Sequence, residues 1–439
     1  MKPKTASRLL LVLLLCSALY ARADTAEEIQ AKIDAQNTKI IQLQKEIAAY
    51  EVSLAEIGKN KATLQGEVTR LDTSRKKLGA DIAVTQDKIG TANLQLTELG
   101  TQIGDKETRI TNGKLGIAES LRTLQKLGDT TLVEQYFSAD GLEKAWEDAD
   151  QLSSLQTSVR NETEQLTEVK AQLSDHRDQV SKQKAELASL QLQLKGQKVV
   201  LDQNRAEQAS LLADTKNKES NYQKTLADKQ AAKLQFEQEL NQYESQLKYT
   251  LDPSSIPPAG QGVLSFPLDS AYMLRCRDRT SVFKNIYCIT QYFGNTAFAA
   301  TGAYNGAGHN GVDFGAPEGT RVVAALSGTV TATGNTDLFR GCYSYGKWVL
   351  VKHANGLTSL YAHLSYISAG QGDVVPTGGM LGYSGKTGYA TGPHLHFTLY
   401  ASDGVKVVRL GDVKAKTNCA GALVPVAPTS AYLNPMSYL

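Results

Sequence analysis

Gly392-Pro393-His394-Leu395-His396-Phe397 sets two histidines two residues apart among strand-forming neighbours. A separate stretch, His309-Asn310-Gly311-Val312-Asp313, adds a third histidine and an aspartate. In a strand, side chains at i and i+2 point to the same face, so the imidazoles of His394 and His396 face one site. The two stretches together hold enough nitrogen and oxygen donors for a three-ligand Zn²⁺ site with its fourth position open, which is the composition of catalytic zinc and points to a hydrolase.

Around these stretches, short apolar runs recur between glycine-rich turns, among them residues 289–293, 321–325, 348–352, 358–364 and 394–399. That spacing predicts a compact, mostly antiparallel β domain. Five of the six histidines fall in it, at 309, 353, 363, 394 and 396, which favours a metal site over five separately buried structural histidines. His353 ends a strand before a turn and reads as a structural or rim residue. Cys276, Cys288, Cys342 and Cys419 are all in this region; local separation pairs the first two and the last two, and no C-x-x-C spacing supports a cysteine zinc site. Gly385-Lys386-Thr387 resembles the end of a phosphate loop, but that pattern needs glycine where Met380 stands, and no H-E-x-x-H helix exists.

Upstream, Asp252-Pro253-Ser254-Ser255-Ile256-Pro257-Pro258-Ala259-Gly260 ends a helical region and predicts a stiff, exposed linker. Before it, positions stepping by three and four from Ile40 to Leu124 carry Ile, Leu, Val, Tyr or Ala at 19 of 25 sites, the a/d seam of a coiled coil. Lys61, Arg75, Thr85, Lys106, Gly113 and Ser120 are its exceptions. A second seam steps from Leu152 to Leu201 and continues more weakly towards Tyr243. Two runs of similar length around one break at Gly128 to Gly141 favour an antiparallel hairpin with arms roughly 150 Å long at 1.5 Å per residue; a parallel homodimer uses the same heptads. His176 is in phase with the second seam and reads as a packing residue. Tyr136, Phe137, Leu142 and Trp146, near the break, either meet a partner or seal the hairpin tip.

Lys2, Lys4 and Arg8, the apolar run Leu9 to Leu15 and Ala21-Arg22-Ala23 form the three parts of a secretory signal over residues 1–23, so the mature chain is expected to be exported with no transmembrane segment. Leu15 before Cys16 argues against a lipid anchor. Residues 24–258 carry 30 Lys/Arg against 37 Asp/Glu, whereas residues 259–439 carry 13 against 8. The near-neutral total therefore hides an acidic middle and a mildly basic end, too weak a charge to indicate nucleic acid.

From about Phe266 to Leu439 the sequence resembles the lysostaphin-like (LytM-type) zinc metallopeptidases. The likeness rests on Ile289-Thr290-Gln291-Tyr292-Phe293-Gly294, Gly308-His309-Asn310-Gly311-Val312-Asp313-Phe314, Tyr361-Ala362-His363-Leu364, Gly388 to Phe397, and Leu433-Asn434-Pro435. It implies one Zn²⁺ per chain on His309, Asp313 and His396, with His363 and His394 as catalytic histidines sharing the roles of base and oxyanion stabiliser. It implies peptidoglycan stem peptides as substrate at the cell wall, periplasmic or extracellular. Some members have a tyrosine near the metal, here Tyr304 or Tyr292, and the long approach Ala271 to Asn305 is expected to wall or cover the groove.

The expected architecture is multidomain α and β: signal 1–23, antiparallel coiled-coil hairpin 24–251, linker 252–262, and a LytM-type β peptidase domain 263–439. A coil has no pocket, so its role is reach and partner binding, and it resembles coils that dock on membrane-bound division complexes. Two readings follow: an exported zinc endopeptidase positioned or restrained by its coil, or a non-catalytic activator of other hydrolases that retains the zinc site.

Overall fold

The computed structural model describes residues 25–57, 63–128, 141–247, 250–276, 286–296, 308–413 and 417–439. The expected signal segment, the hairpin tip with Tyr136 and Phe137, and Tyr304 lie outside the described residues. The chain groups into two compact units, Met1–Gln36 with Asn93–Gln183, and Asn37–Ala92 with Lys184–Leu439.

Among the described residues, four long helices precede the β region: α1 (Ala26–Ile57), α2 (Leu64–Gly128), α3 (Gly141–Thr215) and α4 (Glu219–Glu244). The seam read as unbroken from Ile40 to Leu124 is thus carried by two helices. In the second unit α1 lies antiparallel to α2, with Ile40 and Ile47 packed on Ala80 and Val84 and Lys39 paired with Asp87 at 3.0 Å. A run of a/d positions keeps its phase through such a reversal because each helix needs an apolar stripe whichever neighbour covers it.

The antiparallel hairpin of α2 and α3 is intramolecular, and the seam exceptions show how its register is set. In the second unit Arg75 donates to Gln208 at 3.4 Å, and Thr85 accepts from Gln193 at 3.3 Å. In the first unit Lys106 donates to Gln172 at 2.8 Å, and a Cβ on Gly113 would sit 2.6 Å from Leu166 Cδ2. Polar seam residues met by polar partners, and a glycine that admits a leucine, penalise any slipped pairing.

The β region is a ten-stranded antiparallel sheet whose main path runs β1 (Ile289–Gln291), β2 (Val312–Gly315), β9 (His394–Ala401), β6 (Leu357–Ile367), β5 (Lys347–His353), β4 (Gly328–Asn335), β7 (Val374–Val375). The short β3 (Arg321–Val323) pairs with β8 (Met380–Ser384), which also joins β6, while β12 (Tyr432–Leu433) joins β9. A separate hairpin is formed by β10 (Lys406–Arg409) and β11 (Leu423–Val426). A small helix α5 (Ser270–Cys276) is tied to the start of β1 by the Cys276–Cys288 disulfide, and Cys342–Cys419 closes the other, the pairing that local separation favours. Most of the linker is exposed, as its composition predicts, while Ile256 packs against the sheet core and Gly260 N–H donates to the Ser437 carbonyl at 2.9 Å.

The base of the coil and the β domain share one unit. Arg70 on α2, 1 % exposed, donates to Glu67 at 2.9 and 3.0 Å and to Glu318 of the β domain at 3.3 Å. Lys386 closes the cluster on Glu67, and Asn204 of α3 donates to Glu318 at 2.8 Å. Beside it Leu78 and Val200 bury themselves on Tyr383, whose hydroxyl donates to the carbonyl of Gln193 at 3.0 Å.

Candidate metal and catalytic site

The sheet brings both sequence stretches to one place. Asp313 on β2 and His396 on β9 are direct cross-strand partners, and His309 reaches them from just before β2, held by paired backbone hydrogen bonds to Gly294 at 2.8 and 2.9 Å. Gly311 is required by this approach: a Cβ there would lie 2.6 Å from the carbonyl oxygen of Phe397 and 2.9 Å from the His396 ring.

His309 Nε2 and His396 Nδ1 are 3.1 Å apart, and they lie 3.3 and 2.8 Å from Asp313 Oδ1. Ligands about 2.0–2.2 Å from a tetrahedral Zn²⁺ are separated by roughly 3.3 Å, so the three donor atoms already sit at close to the required spacing. Each remaining ring nitrogen has a partner that fixes the ring. His309 Nδ1 donates to the carbonyl of Tyr292 at 3.0 Å, because a carbonyl only accepts, and this leaves Nε2 as the electron-pair donor. His396 is turned the other way, with Nε2 on Thr398 Oγ1 at 2.8 Å and Nδ1 facing Asp313. Such outer partners orient metal ligands and select their tautomers.

His363 and His394 stand beside this triad with ring centres 4.7 Å apart. His363 Nδ1 is anchored on the carbonyl of Thr387 and His394 Nδ1 on that of Gly392, both at 2.8 Å, which directs each Nε2 inward. His363 adopts φ +60°, a left-handed conformation uncommon outside glycine, and its N–H is tied to Tyr345 O at 2.9 Å.

Burial pushes the pKa of His363 well down, aided by the neighbouring His394 and His396, and burial also lowers His396. Both rings are therefore neutral near pH 7, the form that binds metal or accepts a proton. Burial would raise Asp313, but the charges of His309 and His394 and hydrogen bonds from His309 and His396 outweigh it and hold the carboxyl well below its usual range. The fifth histidine is elsewhere: His353 lies between Ser327 O at 3.1 Å and Ser359 Oγ at 2.8 Å, a structural position.

Sequence reasoning passed over Thr398, Tyr345 and Asn310. Thr398 was detectable, standing two residues from His396 on the same strand face. Tyr345, whose hydroxyl accepts from Asn310 Nδ2 at 3.1 Å, lies 6.0 Å from the His396 ring, a place sequence had given to Tyr292 or Tyr304. Of Tyr292 it is the carbonyl that serves the site, while the residue is 47 % exposed.

A cavity of about 380 Å³ opens from the five groups, and one wall is helix α4. Lys233, Phe236, Glu237, Leu240, Asn241 and Glu244, spaced by three and four, line it as one helical face. Phe236 and Leu240 are each 5 % exposed, buried in a cluster with Tyr345, Trp348 and Leu350. Lys233 Nζ lies 4.7 Å over the Tyr389 ring, and Glu244 Oε1 accepts from the backbone N–H of Ala427 at 3.0 Å and from Tyr432 Oη at 2.6 Å. Some of the wall expected from the approach Ala271 to Asn305 is present, since Gln291 and Phe293 line the cavity, whereas residues 277–285 and 297–307 lie outside the described residues.

Known proteins match the same region. The DD-carboxypeptidase/endopeptidase Mpg of Neisseria meningitidis is 45 % identical over 89 residues, 20 % of this chain and 19 % of the relative. The peptidoglycan DD-endopeptidase ShyA of Vibrio cholerae is 42 % identical over 92 residues, 21 % of this chain and 20 % of the relative. The cell division protein DipM of Caulobacter vibrioides is 36 % identical over 98 residues, 22 % of this chain and 15 % of the relative. The chain thus spans about a fifth of the length of such relatives. Residues 307–408 match Peptidase family M23, and the C-terminal part of this chain is an M23 (LytM-type) peptidase domain.

Proposed function

We propose that this protein is an exported zinc metalloendopeptidase that hydrolyses peptide cross-links of bacterial peptidoglycan, and that helix α4 restrains it by lying along its active-site groove. The observation that carries the reading is the donor set: His309, Asp313 and His396 within 4.8 Å of one another, beside buried His363 and half-buried His394, which open into a cavity. His309, Asp313 and His396 would hold the metal, which would supply an acidified water and polarisation of the scissile carbonyl. The chain's residues supply the rest. His363 and His394, each anchored through Nδ1 on a backbone carbonyl, present a lone pair on Nε2 that can take up a proton from the attacking water, and the Nε2–H so formed can then donate to the carbonyl oxygen as charge develops on it. Asp313, held ionised, keeps the two ligating imidazoles in place.

Restraint is supported by α4, which walls the groove along its length with Phe236 and Leu240 seated in the cluster of Tyr345, Trp348 and Leu350. Restraint also supports a second reading, an activator of other hydrolases that keeps its groove closed. Mass spectrometry of muropeptides released from sacculi by the zinc-loaded mature chain separates the two. The endopeptidase reading expects new peptide products and a loss of about 10²- to 10⁴-fold in His394→Ala; undiminished release by that variant sinks it. Export and docking of the coil on a membrane-bound complex belong to the same proposal. Among the described residues no helix is long and apolar enough to cross a membrane.

A further inference from the structure

The far end of α4 seats a carboxylate where the groove offers it two donors. Glu244 is 6 % exposed, and both donors, Ala427 N–H and Tyr432 O–H, meet the same oxygen, Oε1. Both come from the segment that carries β11 into β12, and Tyr432 lines the same cavity as the metal-site histidines. Removal of α4 would free the Ala427 N–H and the Tyr432 hydroxyl at the edge of the cavity that Tyr432 lines, and any group that covers them again must answer both donors or bear the cost of leaving them unpaired. An occupant of the groove that brings an oxygen acceptor there is therefore favoured over one that does not. Peptide substrates carry carboxylates at a terminus or on a side chain, and Glu244 is itself a carboxylate on a peptide.

We infer that Ala427 N–H and Tyr432 Oη form a carboxylate-binding subsite of the substrate groove, which Glu244 fills in the restrained state and a carboxylate of the substrate peptide fills in the open one. This rests on the restraint reading above. It assigns Tyr432 as a specificity residue and makes Glu244 a competitor of the substrate. Burial beneath α4 raises the Glu244 carboxyl to about 7, and the hydrogen bonds from Tyr432 and Ala427 counter that rise, as expected of donors that favour the ionised form.

The test is calorimetric binding of soluble tetrapeptides that differ only in their carboxylates, with both free, the terminal one amidated, or the side-chain one amidated. In the full mature chain carrying Glu244→Ala, the subsite is vacated without touching the peptidase domain. The free peptide is expected to bind at least tenfold more tightly than one of the two amides, and the sensitive position tells whether terminal or side-chain carboxylate occupies the subsite. Adding Tyr432→Phe should reduce the free peptide to the affinity of that amide, while the other amide changes in parallel with the free form. The wild-type chain, in which peptide must displace α4, should show the same preference at lower affinity, so the test stands if Glu244→Ala does not fold. Equal affinity for all three peptides, or a preference that survives Tyr432→Phe, overturns the inference. Because binding is read without turnover, a preference with no cleavage of sacculi would sink the endopeptidase reading alone, and cleavage without preference would sink the subsite alone.

Discussion

Two parts of the coil meet the peptidase domain with opposite chemistry. The bases of α2 and α3 meet it through buried ions: Arg70 between Glu67 and Glu318, with Lys386 and Asn204 completing the set. Helix α4 meets it through apolar side chains in the groove, a lysine on an aromatic face and one carboxyl on two neutral donors. A buried ion cluster is tolerable only when every charge is answered, so it fixes one arrangement and penalises departure from it. Apolar burial is less directional, and a groove that accepts Phe236 and Leu240 also accepts other apolar groups. On the proposed reading the first contact is a mount and the second a lid.

The largest effect tests the mount. Arg70→Ala leaves Glu67 and Glu318 buried without their shared cation, and breaking such a cluster costs on the order of 3–5 kcal/mol. Calorimetry should show a fall in Tm on the order of 10 °C. Glu67, held down to about 2 by the charges of Lys386 and Arg70 against its burial, makes the loss visible as pH falls, since its stabilising share is present above pH 4.5 and disappears towards pH 2. An unchanged Tm would remove the distinction between mount and lid. The next effect tests the lid: Phe236→Ala forfeits about 3–5 kcal/mol of burial in the groove. If α4 opens independently of global unfolding, product release from sacculi rises tenfold or more while Tm moves little. A large drop in Tm without faster release would make α4 part of the mount.

This contrast also marks what the sequence discloses. That His394 and His396 share one face was legible because a two-residue spacing has one geometric meaning in a strand, His309 and Asp313 joined them as donors of a second motif, and the place of His363 beside them came from the resemblance of its motif. The coil was legible for the same reason, since heptads report an apolar stripe. They do not report which helix covers the stripe, so the return of α1 onto α2 was hidden. The lid was hidden more deeply. Phe236, Leu240 and Glu244 continue a weak helical period, and only the fold shows that their stripe faces the groove. Arg70 and Glu318 are 248 residues apart, beyond any local rule.

Two smaller effects sharpen the lid. Glu244 has its pKa raised from 4.5 to about 7 by burial, so it favours the seated state at low pH and ceases to do so as pH climbs through that interval. The shift corresponds to about 3 kcal/mol of seating lost by pH 8. Hydrogen exchange of the α4 amides is the suitable readout, because it reports the seating of the helix directly. Protection, corrected for intrinsic rates, should fall between pH 5 and 8 in the wild type and stay level in Glu244→Gln; parallel profiles would show that Glu244 does not control the seat. Lys233 gives the smallest change. Its ammonium lies on the Tyr389 ring and pairs with Glu237 at 3.2 Å, within the helix, so Lys233→Ala removes a cation–π contact to the groove worth about 0.5–1 kcal/mol. Release of product should rise about two- to fivefold, with Tm unchanged. A rise as large as that of Phe236→Ala would mean that the lysine, and not the apolar face, holds the lid down.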